Sequence, residues 1–146
     1  MLTIPDSLAA DLRDYFLTAQ PLTPPLAASS IRLKLAAEEM PSPRLVIIPG
    51  EPRLVPQMPC TARVPCSLEY ITSLDRVPAA SHRDAAGQIE AWLRDIRTAR
   101  RRQPLFSRVF LHDIFSITSI LSIRQAEREQ VTTIRCEPVI TLCAPI

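Results

Sequence analysis

Glycine is scarce in this sequence. Gly50 and Gly87 are the only two glycines in 146 residues, whereas proline occurs 15 times. Loops that cradle a dinucleotide or a nucleoside triphosphate need several closely spaced glycines, because their backbone N–H groups must approach the phosphates. The composition therefore argues against nucleotide-binding enzymes of these classes. The prolines cluster in residues 21–25 and 41–65 and divide the chain into short extended pieces that cannot be helix interiors.

The sequence also lacks a strong charge bias and long apolar runs. The formal net charge is +2, too small to favour nucleic-acid binding by bulk attraction. The apolar runs are far shorter than the roughly 20 residues that span a bilayer. Asp6, Asp11 and Asp14 lie in the N-terminal stretch, where a secretory signal would be basic and then apolar. The expected compartment is the cytoplasm.

Cysteine spacing does not match a metal site. Cys60, Cys66, Cys136 and Cys143 form neither a CxxC pair nor a zinc ribbon. Thiols stay reduced in the cytoplasm, so we interpret the four cysteines as small buried apolar side chains rather than as disulfide partners or metal ligands.

The acidic residues and the two histidines show no catalytic pattern. Neither His82 nor His112 lies in a zinc-protease or deaminase motif. We expect His82 to be exposed in the first turn of a helix and His112 to be a polar residue on a strand. The carboxylates Glu38–Glu39 and Glu127–Glu129 fall in predicted loops and are interpreted as solvated charges. No catalytic, cofactor-binding or metal-binding residue is predicted, and the chain is predicted not to be an enzyme.

Two amphipathic helices are predicted, over residues 4–19 and 81–101. Apolar residues recur at three- and four-residue spacing in both. Ser81 is the expected N-cap of the second helix. Trp92, the single tryptophan, falls on its apolar face and is predicted to anchor this helix to the sheet.

Alternating and β-branched stretches predict strands in most of the remaining chain. They cover residues 31–36, 44–48, 61–74, 108–123 and 131–143, although a helical turn near residues 111–115 stays open. Pro65 and Pro138 are interpreted as marks of a sheet edge or a bulge. The sequence thus predicts one α+β domain over residues 1–146, with a mostly antiparallel sheet and two helices packed on one face.

The segments 41–60 and 124–130 lack the periodicity of a core. The Pro-rich stretch 41–65 is expected to be an arm, and residues 124–130 are expected to be a polar connection between the last two strands. Long loops without core periodicity are either functional or disordered. Two interpretations therefore stay open: arms that reach a neighbouring subunit, or disorder.

Charged residues at two places are the candidate interface. One group ends the second helix, and the other occupies the polar connection: Arg97, Arg100, Arg101, Arg102, Arg124, Glu127, Arg128 and Glu129. The arginine cluster fits an acidic protein partner, a phosphate backbone, or a solvated helix terminus favoured by the helix dipole. No aromatic residue is interleaved to stack bases, so specific nucleic-acid binding is not expected.

The order of these elements resembles a known family. A first amphipathic helix leads to the strand RLVIIPGEP, a long middle strand leads to the helix HRDAAGQIEAWLRDI, and a polar connection precedes TTIRCEPVITLC. This arrangement over nearly the whole chain is similar to the tail-terminator (tail-completion) proteins of long-tailed bacteriophages and tail-like particles.

The resemblance implies a structural subunit rather than an enzyme. Such a subunit forms a ring, typically a hexamer, on the head-proximal end of the tail tube, where it stops tube polymerisation and offers a surface to the head connector. Its implied partners are further copies of itself, the tail-tube protein and the connector protein, without a membrane or a cofactor. The implied location is the virion tail, assembled in the bacterial host cytoplasm. The alternatives are another neck or connector subunit, a small nucleic-acid-binding module, or an unrecognised enzyme.

Overall fold

The computed structural model describes residues 4–19, 31–33, 43–58, 60–99 and 108–142. In these ranges the chain forms two helices and seven strands. In chain order they are α1 (Ile4–Ala19), β1 (Ile31–Leu33), β2 (Arg44–Pro49), β3 (Arg53–Leu54), β4 (Thr61–Arg63), β5 (Cys66–Ser73), α2 (Ala79–Ala99), β6 (Val109–Arg124) and β7 (Glu129–Leu142). Neither described helix is both long enough and apolar enough to cross a membrane.

The strands form one sheet around β7. β1 pairs with β2 in parallel, and the remaining pairings in the described sheet are antiparallel. β6 lies on one side of β7, and β4 and β5 lie on the other. β2 then extends the sheet beyond β5, and β3 extends it beyond β4. The predicted α+β fold with a mostly antiparallel sheet is confirmed.

β4 and β5 are one strand with an interruption. Thr61 faces Thr141 and Cys66 faces Cys136, so both segments keep the same register against β7. Between them, the Val64 N–H donates to the Pro138 carbonyl at 2.9 Å. Pro138 has no N–H to return that bond, which explains a break at this point. The predicted strand over residues 61–74 is therefore correct in position but discontinuous.

Pro138 does not lie at a sheet edge, although the sequence suggested an edge or a bulge. It lies in β7, which is paired on both sides. Its partner on β6 is Ile114, and β6 shifts register on either side of it, between Leu111 and Asp113 and between Phe115 and Thr118. The bulges therefore fall on the neighbouring strand, which absorbs the irregularity. The helical turn considered near residues 111–115 is replaced by strand.

Three pieces of the predicted Pro-rich arm, β2, β3 and β4, belong to the sheet. β2 and β3 run back along β5 and β4, and a turn joins β3 to β4 through the Val55 N–H bond to the Thr61 carbonyl at 2.9 Å. Gly50 lies close to Pro65, in the break between β4 and β5. Its N–H donates to the Pro65 carbonyl at 2.6 Å, and a Cβ at this position would lie 3.0 Å from that oxygen. A larger residue here would therefore require the Pro65 carbonyl to shift by a few tenths of an ångström.

The helices cover one face of the sheet, as predicted. The largest side chains with almost no exposure come from both helices and from the strands: Tyr70, Phe16, Leu8, Leu12, Leu45, Ile47, Leu68, Ile71, Ile89, Leu93 and Ile96. All of these except Ile71, which lies in a second small cluster, belong to one continuous core. Trp92 is buried in the main core and stacks on Phe16 of α1, with ring centroids 5.8 Å apart. Trp92 thus joins the two helices as well as filling the core.

A buried carboxylate fixes α1 to the start of β6. Asp11 is 3% exposed, and its Oδ2 accepts the backbone N–H groups of Arg108 at 2.9 Å and Val109 at 3.0 Å. The Arg108 guanidinium donates to Asp11 Oδ1 at 2.8 Å and to Asp14 Oδ2 at 2.9 Å. Because burial of a charge is costly without such partners, this cluster specifies where the helix sits.

The second helix begins two residues earlier than predicted. α2 starts at Ala79, and the His82 N–H donates to the Pro78 carbonyl at 3.0 Å in its first turn. Ser81 is therefore inside the helix and is not its N-cap. Residues 34–36, 100 and 101, also assigned to elements from the sequence, lie outside the described residues.

We predict that Trp92→Ala lowers the free energy of unfolding by about 3–5 kcal/mol, because it removes a buried aromatic ring and leaves a cavity between the helices. Chemical denaturation of both proteins measures this difference. Gln88→Ala, on the exposed side of the same helix, is the control and should unfold like the parent. Equal stability of Trp92→Ala and the parent would contradict the packing described here.

Candidate assembly surface

The candidate interface residues at the end of the second helix are only partly described. Arg97 belongs to α2 by its backbone, and its side chain lies outside the described residues. Arg100, Arg101 and Arg102 also lie outside them. Their role in contacts stays a prediction.

The four candidates in the polar connection lie at the turn between β6 and β7. Arg124 ends β6, Glu127 and Arg128 lie in the turn, and Glu129 begins β7. These four residues lie in and beside one turn, and their role in an interface stays a prediction. The structure also shows partners within the chain that the sequence did not reveal.

Three of these charges bind the β6–β7 turn to the rest of the sheet. Arg128 donates a bidentate pair of hydrogen bonds to the Asp75 carboxylate, the shorter of them 2.6 Å. These hydrogen bonds lower the pKa of Asp75. Arg124 lies 3.4 Å from Glu69. The backbone contributes as well, since the Leu74 N–H donates to the Arg128 carbonyl at 2.9 Å.

The third charge, Glu129, was predicted to be a solvated loop residue, and this prediction is wrong. Glu129 pairs with Arg44 at 2.8 Å, and the two side chains are 14% and 9% exposed. Arg44 lies opposite Ile71 on β5, on the face of the sheet away from the helices. A small second cluster of Val46, Ile71 and Val131 is buried on this face. The ion pair thus helps to stabilise the face of the sheet that no described helix covers.

Large apolar side chains are exposed along β6. Of seven such residues in the described part of the chain, five lie on this strand: Phe110, Phe115, Ile120, Leu121 and Ile123. The other two are Leu54 in β3 and Met58 in the turn after it. Scattered exposed apolar residues are ordinary, but five of them on one strand make β6 the candidate interaction surface.

β6 is also open along its outer side. Its described pairing is with β7 alone, over its whole length. The second bulge, where Ser116 has φ of 57°, separates an irregular first half from a regular second half at residues 118–124. The sequence correctly predicted a strand here. The sequence interpretation did not predict that the apolar side chains of this strand are exposed. Protected edge strands usually carry charged residues, and the stretch ITSILSI has none.

A groove lies between the first half of β6 and the β3–β4 turn. It encloses about 530 Å³ and is lined by Leu54, Met58, Arg63 and Phe115, among others. The Arg63 guanidinium lies 4.8 Å from the centre of the Phe115 ring, and its Nε lies 4.0 Å from Glu137. The nearby His112 shares a hydrogen bond of 2.7 Å with the Thr141 hydroxyl, so it is a polar strand residue as predicted.

His82 is buried rather than exposed, which corrects the sequence interpretation. Its Nδ1 lies 2.7 Å from the Thr72 hydroxyl and its Nε2 lies 2.8 Å from the Thr132 hydroxyl, and Tyr70 packs against the ring. Burial, with a smaller effect of the Arg83 charge, lowers the pKa of His82 to about 4. A neutral imidazole held by two threonines joins α2 to the sheet and has no acid–base partner in these contacts.

The described cysteines are free thiols in different surroundings. Cys66 and Cys136 are buried directly opposite each other on β5 and β7, and their mutual hydrogen bond, together with burial, raises the pKa of the Cys66 thiol. Cys60 is exposed, contrary to the prediction that all four are buried. Cys143 lies outside the described residues. No group of three metal-ligating side chains occurs in the described ranges.

Comparison with solved structures shows a likeness in fold. The fold is similar to that of a chain from the virion of a native gene transfer agent particle, with a TM-score of 0.63 and 13% sequence identity. The similarity covers 97% of this chain and 99% of that chain. At this identity the likeness concerns the fold. No protein-family model and no curated protein matches the sequence.

We predict that stability falls as the pH is lowered from about 6.5, the ordinary histidine pKa of the unfolded chain, towards about 4, the pKa of folded His82. Because folded His82 has the lower pKa, protonation favours the unfolded chain. The stabilisation from neutral His82 is therefore fully present above about pH 6.5, and up to about 3 kcal/mol of it is lost as the pH falls to about 4. Urea unfolding across this pH range measures the loss of stability, and NMR titration of the imidazole measures the pKa of His82. Titration of His82 near its ordinary pKa would contradict the buried, neutral state.

Proposed function

We propose that this chain is a structural subunit of a phage-like virion, and specifically a tail terminator. In this role, copies form a ring on the head-proximal end of the tail tube and join it to the head connector. The observation that carries the proposal is the likeness over almost the full length of both chains to a chain of a virion particle. It agrees with the family resemblance in the order of the elements.

The surface supports a role in assembly. Its prominent features are an open strand edge and exposed apolar side chains, which are the features of contacts between proteins. The β6–β7 turn is held by ion pairs to Asp75, Glu69 and Arg44, so the edge is formed before any partner arrives. A preformed surface lowers the entropic cost of association.

The proposed partners follow from this role. They are further copies of the chain, the tail-tube protein and the connector protein. The arginine cluster of Arg97, Arg100, Arg101 and Arg102 is proposed to contact an acidic protein surface in the assembled tail. No observation in the described residues favours a nucleic-acid module or an enzyme over this assignment.

We predict that the purified chain forms a closed oligomer of one size, alone or on addition of the tail-tube protein of the same particle. Mass photometry gives the size, and negative-stain electron microscopy shows whether the oligomer is a ring. A terminator should also cap tubes and limit their length, whereas another neck subunit would leave tube length unchanged. A strict monomer under all these conditions would rule out the ring.

DNA binding is the control measurement for the alternative function. Fluorescence anisotropy with duplex and single-stranded DNA should show no binding at physiological salt. Binding of the DNA phosphate backbone by several arginines would instead weaken steeply as the salt concentration is raised. Tight binding that is lost when Arg100, Arg101 and Arg102 are changed to Ser would favour a nucleic-acid module.

A further inference from the structure

The regular half of β6, residues 118–124, has the properties of a strand prepared to accept another strand. It is paired on one side only in the described chain, and its side chains project to both faces. Ile120 is 63% exposed and Ile123 is 50% exposed. Natural edges are usually blunted by charge, proline or a bulge, and residues 118–123 have none of these. Such an edge is suited to main-chain pairing with a partner.

A second open edge lies at the diagonally opposite corner of the sheet. β3 pairs with β4 on one side and with no other described strand. Its Leu54 is 76% exposed, the highest value among the large apolar residues described. All seven exposed large apolar residues therefore lie on β6, on β3 or in the turn that follows β3. Among the described strands that pair on one side only, β6 and β3 are therefore the two that expose large apolar side chains in the described residues, since the side chains of β1 are not described.

The two edges are oriented for head-to-tail joining. From β3 through β4 and β7 to β6, each neighbouring pair is antiparallel, so β3 and β6 run in opposite directions. A second copy placed beside the first in the same orientation brings its β3 against β6 in an antiparallel pair. That arrangement extends the sheet without changing its pattern.

The side chains agree with this arrangement. Leu54 lies opposite Ala62, which faces Ile140, and Leu121 lies opposite Thr132. Successive side chains of a strand alternate between faces, and all the even-numbered residues of β7 point to the helix side. Leu54 and Leu121 therefore project on the same face of the sheet, so they can meet when two copies join.

We propose that residues 118–124 of β6 pair with β3 of a second copy of this chain, head to tail, and that this contact builds the ring. The inference rests on the proposed function and adds the surface that the ring uses. Heterologous contacts of this kind close into a ring when the rotation between copies allows it. A two-fold pair of β6 edges would use one edge and leave the exposed β3 edge, with Leu54, unpaired.

The test uses one blocked edge at a time. Ile120→Lys places a charge on the β6 edge, and Leu54→Lys places one on the β3 edge, and both sites are exposed enough to leave the fold intact. Each variant alone should be monomeric, with the concentration for half assembly raised at least about tenfold. Mixed together, each variant supplies the edge that the other lacks, so cross-linking should trap one-to-one dimers that do not grow.

Controls separate folding from assembly. Both variants should melt like the parent, and Gln88→Lys, a charge added on the exposed side of α2, should assemble like the parent. The milder Ile120→Ser tests the same edge without a new charge and should assemble less well than the parent.

The outcomes distinguish this inference from the proposed function. If the parent forms rings and either edge variant forms them equally well, the surface is wrong and the ring stands. If Leu54→Lys alone forms dimers, or the mixture gives no one-to-one dimer, the head-to-tail pairing is wrong. If the parent never assembles, even with tail-tube protein, both proposals fail.

Discussion

The register of β7 is the constraint on which the rest of the structure depends. This strand pairs with β4 and β5 on one side and with β6 on the other. Its inward residues Ile134, Cys136 and Ile140 meet the core under the helices, so a slip of one residue would turn them to the opposite face. Glu129 at its start is fixed by Arg44, and Thr132 is fixed by His82. The same register determines which half of β6 is regular and open.

Local patterns predicted the elements that they control. α1 and β2 were predicted because the spacing of apolar residues within each segment is enough to indicate its structure. The sequence marked an irregularity at Pro65, which lies in the interruption between β4 and β5. The hydrogen bond missing there is that of Pro138, which lies on another strand and could not be assigned from the local pattern. His82 was predictable and was missed: it lies three residues before Ala85 and seven before Ile89, on the apolar stripe of α2.

Long-range pairing explains why the candidate site was only partly foreseen. The sequence marked Arg124, Arg128 and Glu129 as contact residues because they are charged in a predicted loop. Their partners Glu69, Asp75 and Arg44 come from distant segments, so their use within the chain is a property of the folded state. Likewise, the apolar residues of β6 look like core residues in the sequence. Only the sheet order shows that they lie on an edge.

The proposed joining of copies through the β6 edge is a backbone pairing between subunits. Hydrogen–deuterium exchange, compared between the ring and the monomeric Ile120→Lys variant, tests it most directly because it reports on the backbone bonds themselves. Slower exchange is expected in the ring for peptides covering residues 117–124 and 51–55, with α2 unchanged. Equal exchange of both segments in ring and monomer, with protection gained elsewhere, would contradict it.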